Sequence, residues 1–301
     1  MALVTVLLSS YNGEKYIVEQ IESILSQKSC DVNLIVRDDG STDSTIDILK
    51  EYKEEGKLHY ITGDNLRSAK SFFELIYAAP ESDYYAFSDQ DDIWDEDKLS
   101  SAIQMLEEYS IPAFYHSNAR LINAHGEDTG KRLHGQDPKL NFLSLACAGG
   151  ILGCTMVFNK KLWECVVKHP KPERMRMHDY YLGMICLGIG GAEVYDQTPH
   201  IGYRQHGGNV LGVAVGWRSK LKSKWKQFTH RGRYTIGEQA NQLLSDYEQE
   251  LSSERLKECR AVANYDRNWI NTLRMALTPK THYSSVRNSL FLRMCILFRR
   301  R

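Results

Sequence analysis

The chain is predicted to fold as an α/β protein, a mostly parallel sheet flanked by helices, with a C-terminal helical extension. Three observations predict it. Short apolar runs of strand length alternate with segments of helical periodicity through the first 215 residues. Polar and acidic clusters fall where the apolar runs end, the edge at which open α/β sheets bind ligands. Beyond Gly216 the alternation stops and the chain becomes basic.

Size and composition permit this. A chain of 301 residues, 42% of them hydrophobic, can fill one large α/β core and an appended helical piece. Seven cysteines show no C-x-x-C spacing, so neither a disulfide framework nor a zinc site is indicated, and a reducing cytosol fits. The start, Met1-Ala2-Leu3-Val4-Thr5-Val6, lacks the basic leader and long apolar stretch of a signal peptide and reads as a strand. The net charge of zero hides an asymmetry. From Gly216 onward there are 18 Lys+Arg against 7 Asp+Glu, so this part is +11 and residues 1–215 are −11.

Residues 3–8 form a near-continuous apolar run, the mark of a parallel strand covered on both faces. Ser9-Ser10-Tyr11-Asn12-Gly13 breaks it, and Tyr16, Ile17, Ile21, Ile24 and Leu25 recur at helical spacing. A second unit repeats the logic, with a strand over 32–36, a loop over 37–43 and a helix to Glu55. A strand over 58–61, a helix over 71–79 and a strand over 84–87 follow. This alternation implies right-handed crossovers and a parallel sheet whose carboxyl-end loops are the working edge.

After the strand at 84–87 comes Ser88-Asp89-Gln90-Asp91-Asp92-Ile93-Trp94. Its crowded carboxylates repel one another and favour protonation unless a cation shares their charge, which makes a divalent metal the natural partner. A solvated turn ahead of a helix starting near Asp95 is the alternative. A strand over 113–116 and an exposed hairpin or loop over 123–135 come next. The most apolar window, 143–158, is too short to span a bilayer and is expected to be buried core. Its Gly149-Gly150-Ile151-Leu152-Gly153 stretch suits either close approach to a ligand or strand packing. Met177-His178-Asp179 opens an apolar helix with Leu182, Ile185 and Ile189 on one side, and residues 192–195 read as a strand.

Ser9-Ser10-Tyr11-Asn12, Asp38-Asp39-Gly40-Ser41-Thr42-Asp43, Asp89-Gln90-Asp91-Asp92-Ile93-Trp94 and Tyr203-Arg204-Gln205-His206-Gly207-Gly208-Asn209-Val210 occur in this order. Together they resemble family 2 glycosyltransferases of the Rossmann-like GT-A fold, over about the first 215 residues. The Ser-Asp-Gln-Asp-Asp-Ile-Trp and Tyr-Arg-Gln-His forms are most similar to bacterial rhamnosyltransferases of surface polysaccharide assembly.

The resemblance implies a role for each residue. Ser9, Tyr11 and Asp39 would hold the nucleotide base and ribose, and the chemistry agrees, since a tyrosine face stacks on a pyrimidine and a carboxylate accepts its ring N–H. For Asp39 a helix N-cap is the alternative. Asp89 would face the ribose and sugar, and Asp91 would ligate the metal under the diphosphate. Lys70 takes the place of a phosphate-approaching cation, although Arg67 and Ser71 replace the glycine and asparagine more usual there; a solvent-facing helix lysine is the alternative. Asp179 stands where the family has its general base, with His178 in place of the usual glutamate, and an N-cap carboxylate is the other reading. His206 would be a second metal ligand or else a satisfied structural residue. One carboxylate, one imidazole and diphosphate oxygens suit Mn²⁺ or Mg²⁺.

The implied protein is an inverting, metal-dependent transferase of a sugar, L-rhamnose from dTDP-L-rhamnose or else a hexose from UDP, to a glycan or polyprenyl-diphosphate-linked acceptor. A non-catalytic sugar-nucleotide-binding module and a nucleotidyltransferase are the rival classes. Residues 1–215 would be the catalytic domain and 216–301 a basic helical extension. Within the extension, 217–228 sets Trp217, Leu221, Trp225 and Phe228 on one stripe of a cationic helix, 234–277 reads as two amphipathic helices broken near Ser252-Ser253, and 291–301 ends apolar and basic. Both basic segments point to an anionic membrane surface, with a peripheral place on the cytoplasmic face of the cell membrane, or to the phosphates of a lipid-diphosphate acceptor, and a packed surface helix is the alternative for 217–228. No nucleic-acid motif appears and the N-terminal part is acidic, so nucleic acid is the poorer reading and is not expected as the partner.

Overall fold

The computed structural model describes residues 1–135, 137–138, 140–206, 233–281 and 286–299. They form two compact units that interleave along the chain. One is built from Met1–Gly135, Leu152–Lys171 and Gly191–His206, and the other holds the remaining described residues.

The first unit begins with β1 (Ala2–Ser10), α1 (Ile17–Leu25), β2 (Cys30–Asp38), α2 (Thr45–Glu54), β3 (His59–Thr62), α3 (Arg67–Ala78) and β4 (Tyr84–Ser88). β1 is its spine, buried continuously over residues 4–8 as a doubly covered strand must be. It pairs in parallel with β2 from Ala2↔Cys30 to Ser10↔Asp38 and with β4 from Val4↔Tyr84 to Leu8↔Ser88. Three strand ends therefore meet along one edge, as the alternation predicts. α3 begins earlier than the expected residue 71, so that Lys70 lies in its first turn.

Next come β5 (Ile93–Trp94), α4 (Lys98–Leu106), β6 (Ala113–Ser117), β7 (Arg120–Ile122) and β8 (Asp128–Arg132). α4 starts later than the expected Asp95 because Ile93 and Trp94 are taken up as a strand. The 123–135 stretch is the turn and outer strand of a hairpin, with β8 antiparallel to β7 and wholly exposed. The unit closes with β9 (Val157–Asn159), α6 (Lys160–Val167), β10 (Ala192–Asp196) and β11 (Ile201–Arg204), while α5 (Phe142–Ala148) is a helix of the second unit. The large sheet has the order β10-β6-β9-β4-β1-β2-β3, in which β9 is antiparallel to both neighbours. A small second sheet runs β5-β11-β7-β8.

The apolar window is buried, as expected, but not as one element. It divides into α5 (Phe142–Ala148), a 3₁₀ turn over Gly153–Thr155 and β9. Gly149 has φ +80°, and a Cβ there would lie 2.2 Å from the Tyr180 ring, so neither the turn nor the ring seat tolerates a side chain.

The second unit is helical: α5, α7 (His178–Gly188), α8 (Ile236–Tyr247), α9 (Ser253–Ala263), α10 (Trp269–Leu277) and α11 (Val286–Leu297). α7 is the apolar helix expected, and more of it is covered than the side that carries Leu182 and Ile185. Its buried residues include His178, Asp179, Tyr181, Leu182, Met184 and Ile185, so almost its whole circumference is covered by α5 and α8 and their neighbours. The 234–277 stretch makes three helices rather than two. The extra break follows Ala263, where Asn268 caps α10 by accepting from Asn271 N–H at 2.9 Å, and Thr272 Oγ1 donates to Tyr265 O at 2.8 Å. The predicted cationic helix over 217–228 lies outside the described residues. All seven cysteines are free, and all but Cys165 are buried. Among the described residues no helix is long and apolar enough to cross a membrane.

Leu7 is fully buried at the centre of β1, between β2 and β4. Leu7→Ala is expected to lower unfolding stability by about 2–5 kcal/mol. A urea titration whose midpoint is unmoved would show that β1 is not the spine of this sheet.

Candidate active site

The site is built on the three strand ends. Ser10 Oγ donates to Asp38 Oδ2 at 2.9 Å, and Asp38 also accepts from the N–H groups of Gly40 (3.0 Å) and Ser41 (2.8 Å). Asp38 is thereby consumed in forming its own loop, with Gly40 at φ +82° completing the turn. Asn12 laces this loop to the first, its Oδ1 accepting from Thr42 N–H and its own N–H donating to Ser41 Oγ, both at 2.8 Å.

Gln90 ties in the third loop. Its Oε1 accepts from Tyr11 N–H at 2.9 Å and its Nε2 donates to Tyr11 O at 3.1 Å, so a side chain imitates a strand partner. The close approach requires Gly13, where a Cβ would stand 2.3 Å from Gln90 Oε1. With its main chain held, Tyr11 presents a ring that is 47% exposed.

Ser9 and Asp39 belong to a second network. Ser9 Oγ donates to Ser71 Oγ at 2.8 Å, Arg37 Nη1 donates to the same hydroxyl at 3.3 Å, and Arg37 pairs with Asp39. Asp39 also accepts from Leu66 N–H at 3.1 Å, at the start of α3. The carboxylate is thus buried against a guanidinium and a helix N-terminus rather than standing free. Lys70, in the first turn of α3, is half-buried and pairs with no carboxylate among the described residues.

At the end of β11 the chain meets the acidic loop. His206 Nε2 and Asp91 Oδ2 are 2.5 Å apart, and both side chains keep some access to solvent. The residue that brings them together is Arg204, buried to 1%. Its N–H donates to Asp92 Oδ1 at 3.1 Å, its Nε to Asp91 O at 2.7 Å and its Nη1 to Ala124 O at 3.2 Å, while Nη2 pairs with Glu19. Tyr16 fills the remaining space, its ring 4.7 Å from the guanidinium and 5.0 Å from the His206 ring.

The same loop contributes to an acidic cluster in which Asp92 and Cys154 are buried and Asp89 half-buried. Ligand atoms of Asp89, Asp92 and Cys154 lie within 4.8 Å of one another. Burial, reinforced by Asp91, pushes the Asp89 carboxyl up to about 7; burial likewise drives Asp92 well above the usual carboxylate range and raises the Cys154 thiol. The nearby Lys98 ammonium, 3.5 Å from the Trp94 ring centroid, is pushed down to about 7 by the same burial.

Residues 5–165 match the family model described as "Glycosyl transferase family 2". The chain belongs to this family.

This glycosyltransferase is 29% identical to the dTDP-rhamnosyl transferase RfbG of Shigella flexneri over 233 residues, 71% of its own length and 77% of the relative's. It is 27% identical to WfaP of Escherichia coli, a UDP-Glc:alpha-D-GlcNAc-diphosphoundecaprenol beta-1,3-glucosyltransferase, over 70% of its length and 80% of that protein's. Among solved structures, TarS of S. aureus in complex with UDP superposes with a TM-score of 0.56 at 16% identity, covering 94% of this chain and 74% of the other. The mannosyltransferase PcManGT of Pyrobaculum calidifontis, in complex with GDP-Man and Mn2+, superposes with a TM-score of 0.50 at 15% identity, covering 98% and 84%. The fold is therefore GT-A, a mixed α/β architecture with a mostly parallel sheet.

The donor chemistry of the glycosyltransferase suits a divalent cation at Asp91 and His206. Two donors of one octahedral ion at about 2.1 Å stand roughly 3 Å apart, so a rotamer-scale opening of the 2.5 Å contact admits it. Asp89, Asp92 and Cys154 are a poorer set, because burial drives the two carboxyls toward their protonated forms and raises the thiol. Asp179 belongs to the second unit, where it is 1% exposed at the N-terminal turn of α7 and accepts from Tyr180 N–H at 2.8 Å. The preceding His178 is pushed down to about 3 by burial and is neutral.

Sequence reasoning gave no role to Arg204, Gln90, Gly13, Glu19, Tyr16 or Lys98. Arg204 and Gln90 stand inside the motifs that carry the resemblance, and that was their only signal. Glu19 lies one helical turn past Tyr16 but carries no mark of a partner 185 residues away.

Arg204→Lys keeps the charge but loses the fork that reaches Asp91 O, Ala124 O and Glu19 together. Stability is expected to fall by about 2 kcal/mol in urea unfolding. Unchanged stability would show that the guanidinium does not hold the acidic loop.

Proposed function

We propose that this chain is an inverting, metal-dependent glycosyltransferase that moves L-rhamnose from dTDP-L-rhamnose to a glycan or polyprenyl-diphosphate-linked acceptor during bacterial surface-polysaccharide synthesis. The observation that carries the reading is the pairing of Asp91 with His206 beside a loop whose tyrosine ring is presented and whose main chain is clamped by Gln90. The similarity to RfbG favours the rhamnose donor. The similarity to WfaP favours a UDP-hexose as second reading and supports an acceptor carried on a lipid diphosphate. Such an acceptor would bring the enzyme to the cytoplasmic face of an anionic membrane.

On this reading Tyr11 stacks on the pyrimidine, Ser9 and Asp39 line the base and ribose, Asp89 faces the sugar, and Lys70 approaches the diphosphate. Asp91 and His206 would hold a divalent cation, Mn²⁺ or Mg²⁺ with the imidazole favouring Mn²⁺, whose charge would stabilise the departing nucleoside diphosphate. Asp179 takes the proton of the acceptor hydroxyl, whose oxygen forms the new bond to the anomeric carbon as the bond to the diphosphate breaks. Attack opposite the leaving group inverts that carbon. A neutral His178 beside Asp179 adds no competing positive charge, so the carboxylate stays available as a base.

Asp179→Asn is expected to keep nucleotide-sugar affinity while transfer falls at least a thousandfold, a scale at the upper part of general-base contributions of about 10²–10⁴; transfer near the wild-type rate removes Asp179 from the role. Asp91→Ala is expected to abolish the gain in donor affinity on adding Mn²⁺, and calorimetry that finds this gain intact would exclude Asp91 as a ligand. A thermal-shift panel is expected to respond most to dTDP-L-rhamnose. A response to UDP-glucose alone would select the second donor.

A further inference from the structure

The last two described helices bury one side and leave the other apolar and open. α10 buries Thr272, Met275 and Ala276, and α11 buries Leu292, Cys295 and Ile296, and the two helices pack against each other. Their inward faces are therefore already used. On the outward face of α10 stand Trp269, Ile270, Leu273 and Leu277, with Trp269 and Leu277 61% and 64% exposed. α11 exposes Leu290 and Met294, and Phe298 follows at the same spacing. These are helical stripes rather than scattered residues.

The charge around the stripes has one sign. From Cys259 to the end of the chain Asp266 is the only acidic residue, against nine Lys+Arg. Arg260 and Lys280 are paired with glutamates of the unit, whereas the exposed Arg267, Arg274, Arg287 and Arg299 pair with no carboxylate among the described residues. A second copy of this chain pairing through the same faces would bring arginine against arginine. The chain's own segment 207–232 holds six Lys+Arg and no Asp or Glu, so it meets the same repulsion. The complementary partner is apolar within and anionic at its surface. At 1.5 Å per residue, helices of nine and twelve residues reach about 14 and 18 Å, well short of the roughly 30 Å hydrocarbon core, so they can lie in the interface and cannot cross it.

We propose that the outward faces of α10 and α11 seat this protein on an anionic lipid bilayer, with Trp269, Leu277, Leu290 and their neighbours entering the boundary between headgroups and acyl chains and the four free arginines meeting lipid phosphates. This surface deepens the membrane placement proposed above by naming the faces that would make it, and it does not require the transfer chemistry.

The test is sedimentation of the full chain with vesicles of phosphatidylglycerol and phosphatidylcholine, against vesicles of phosphatidylcholine alone, without donor or acceptor. Failure here leaves the transferase reading untouched, and failure of transfer leaves this one untouched. The wild type is expected to sediment with the anionic vesicles only. Leu277→Gln with Leu290→Gln is expected to lower partitioning roughly tenfold per leucine, and Arg274→Gln with Arg287→Gln about fivefold per arginine. All four positions are exposed, so thermal melting should be unchanged. Protein left in the supernatant overturns the proposal, as does vesicle binding that neither pair of substitutions weakens. A concentration-dependent dimer in sedimentation velocity that the leucine substitutions abolish, with no vesicle binding, assigns the faces to a second copy and overturns it too.

Discussion

Arg204 is the constraint on which the candidate site depends. Acidic residues in one loop have no reason to hold a fixed arrangement, since their mutual repulsion spreads them. Here the end of β11 supplies the opposing force. Pairing with β5 and β7 fixes where β11 ends, and Arg204 then holds the acidic loop by its main chain at Asp92 and by its side chain at Asp91. His206 follows two residues later and so arrives beside Asp91. The small sheet thus acts as a jig, converting backbone pairing into the position of two prospective ligands.

The electrostatics beneath that surface run in two directions. Burial disfavours charge on Asp89 and Asp92 and equally on Lys98, so each group is driven toward its neutral form. Lys98 is stabilised mainly by the Trp94 ring and by the field of the carboxylates, not by a direct hydrogen bond. Positive charge arriving above the loop acts on all of them at once, drawing the carboxyls back toward ionisation. A site of this kind responds to a cation through its whole acidic cluster rather than through the ligating atoms alone.

Much of the first unit was legible because its signals are local. The buried run of β1, the glycine at residue 40 and the polar breaks at strand ends each follow from a few adjacent residues. α7 was legible as an apolar helix, but periodicity does not give the number of neighbours that will cover it, and α5 and α8 cover the sides beyond Leu182 and Ile185. The extra break in the C-terminal helices was missed for a related reason: Asn268 is an ordinary polar residue until Asn271 is found donating to it. At the site, Tyr11, Asp91 and His206 were legible as chemistry. Asp39 drew attention as a carboxylate at a strand end, but its burial against Arg37 was not legible, because the pairing is made through the turn that follows β2. Arg204 was invisible for the plainest reason, that its partners lie as far back as Glu19.

The place of β9 has a consequence for how the chain reaches this state during synthesis. In the large sheet β4-β1-β2-β3 is a contiguous block made wholly from the first 88 residues, whereas β6 joins only through β9, which runs from Val157 to Asn159. A nascent chain can therefore assemble the β4-β1-β2-β3 block early and must then wait, with one side of β4 unpaired, until the ribosome has delivered the 71 residues that follow Ser88, through Asn159, or chaperones have covered the gap.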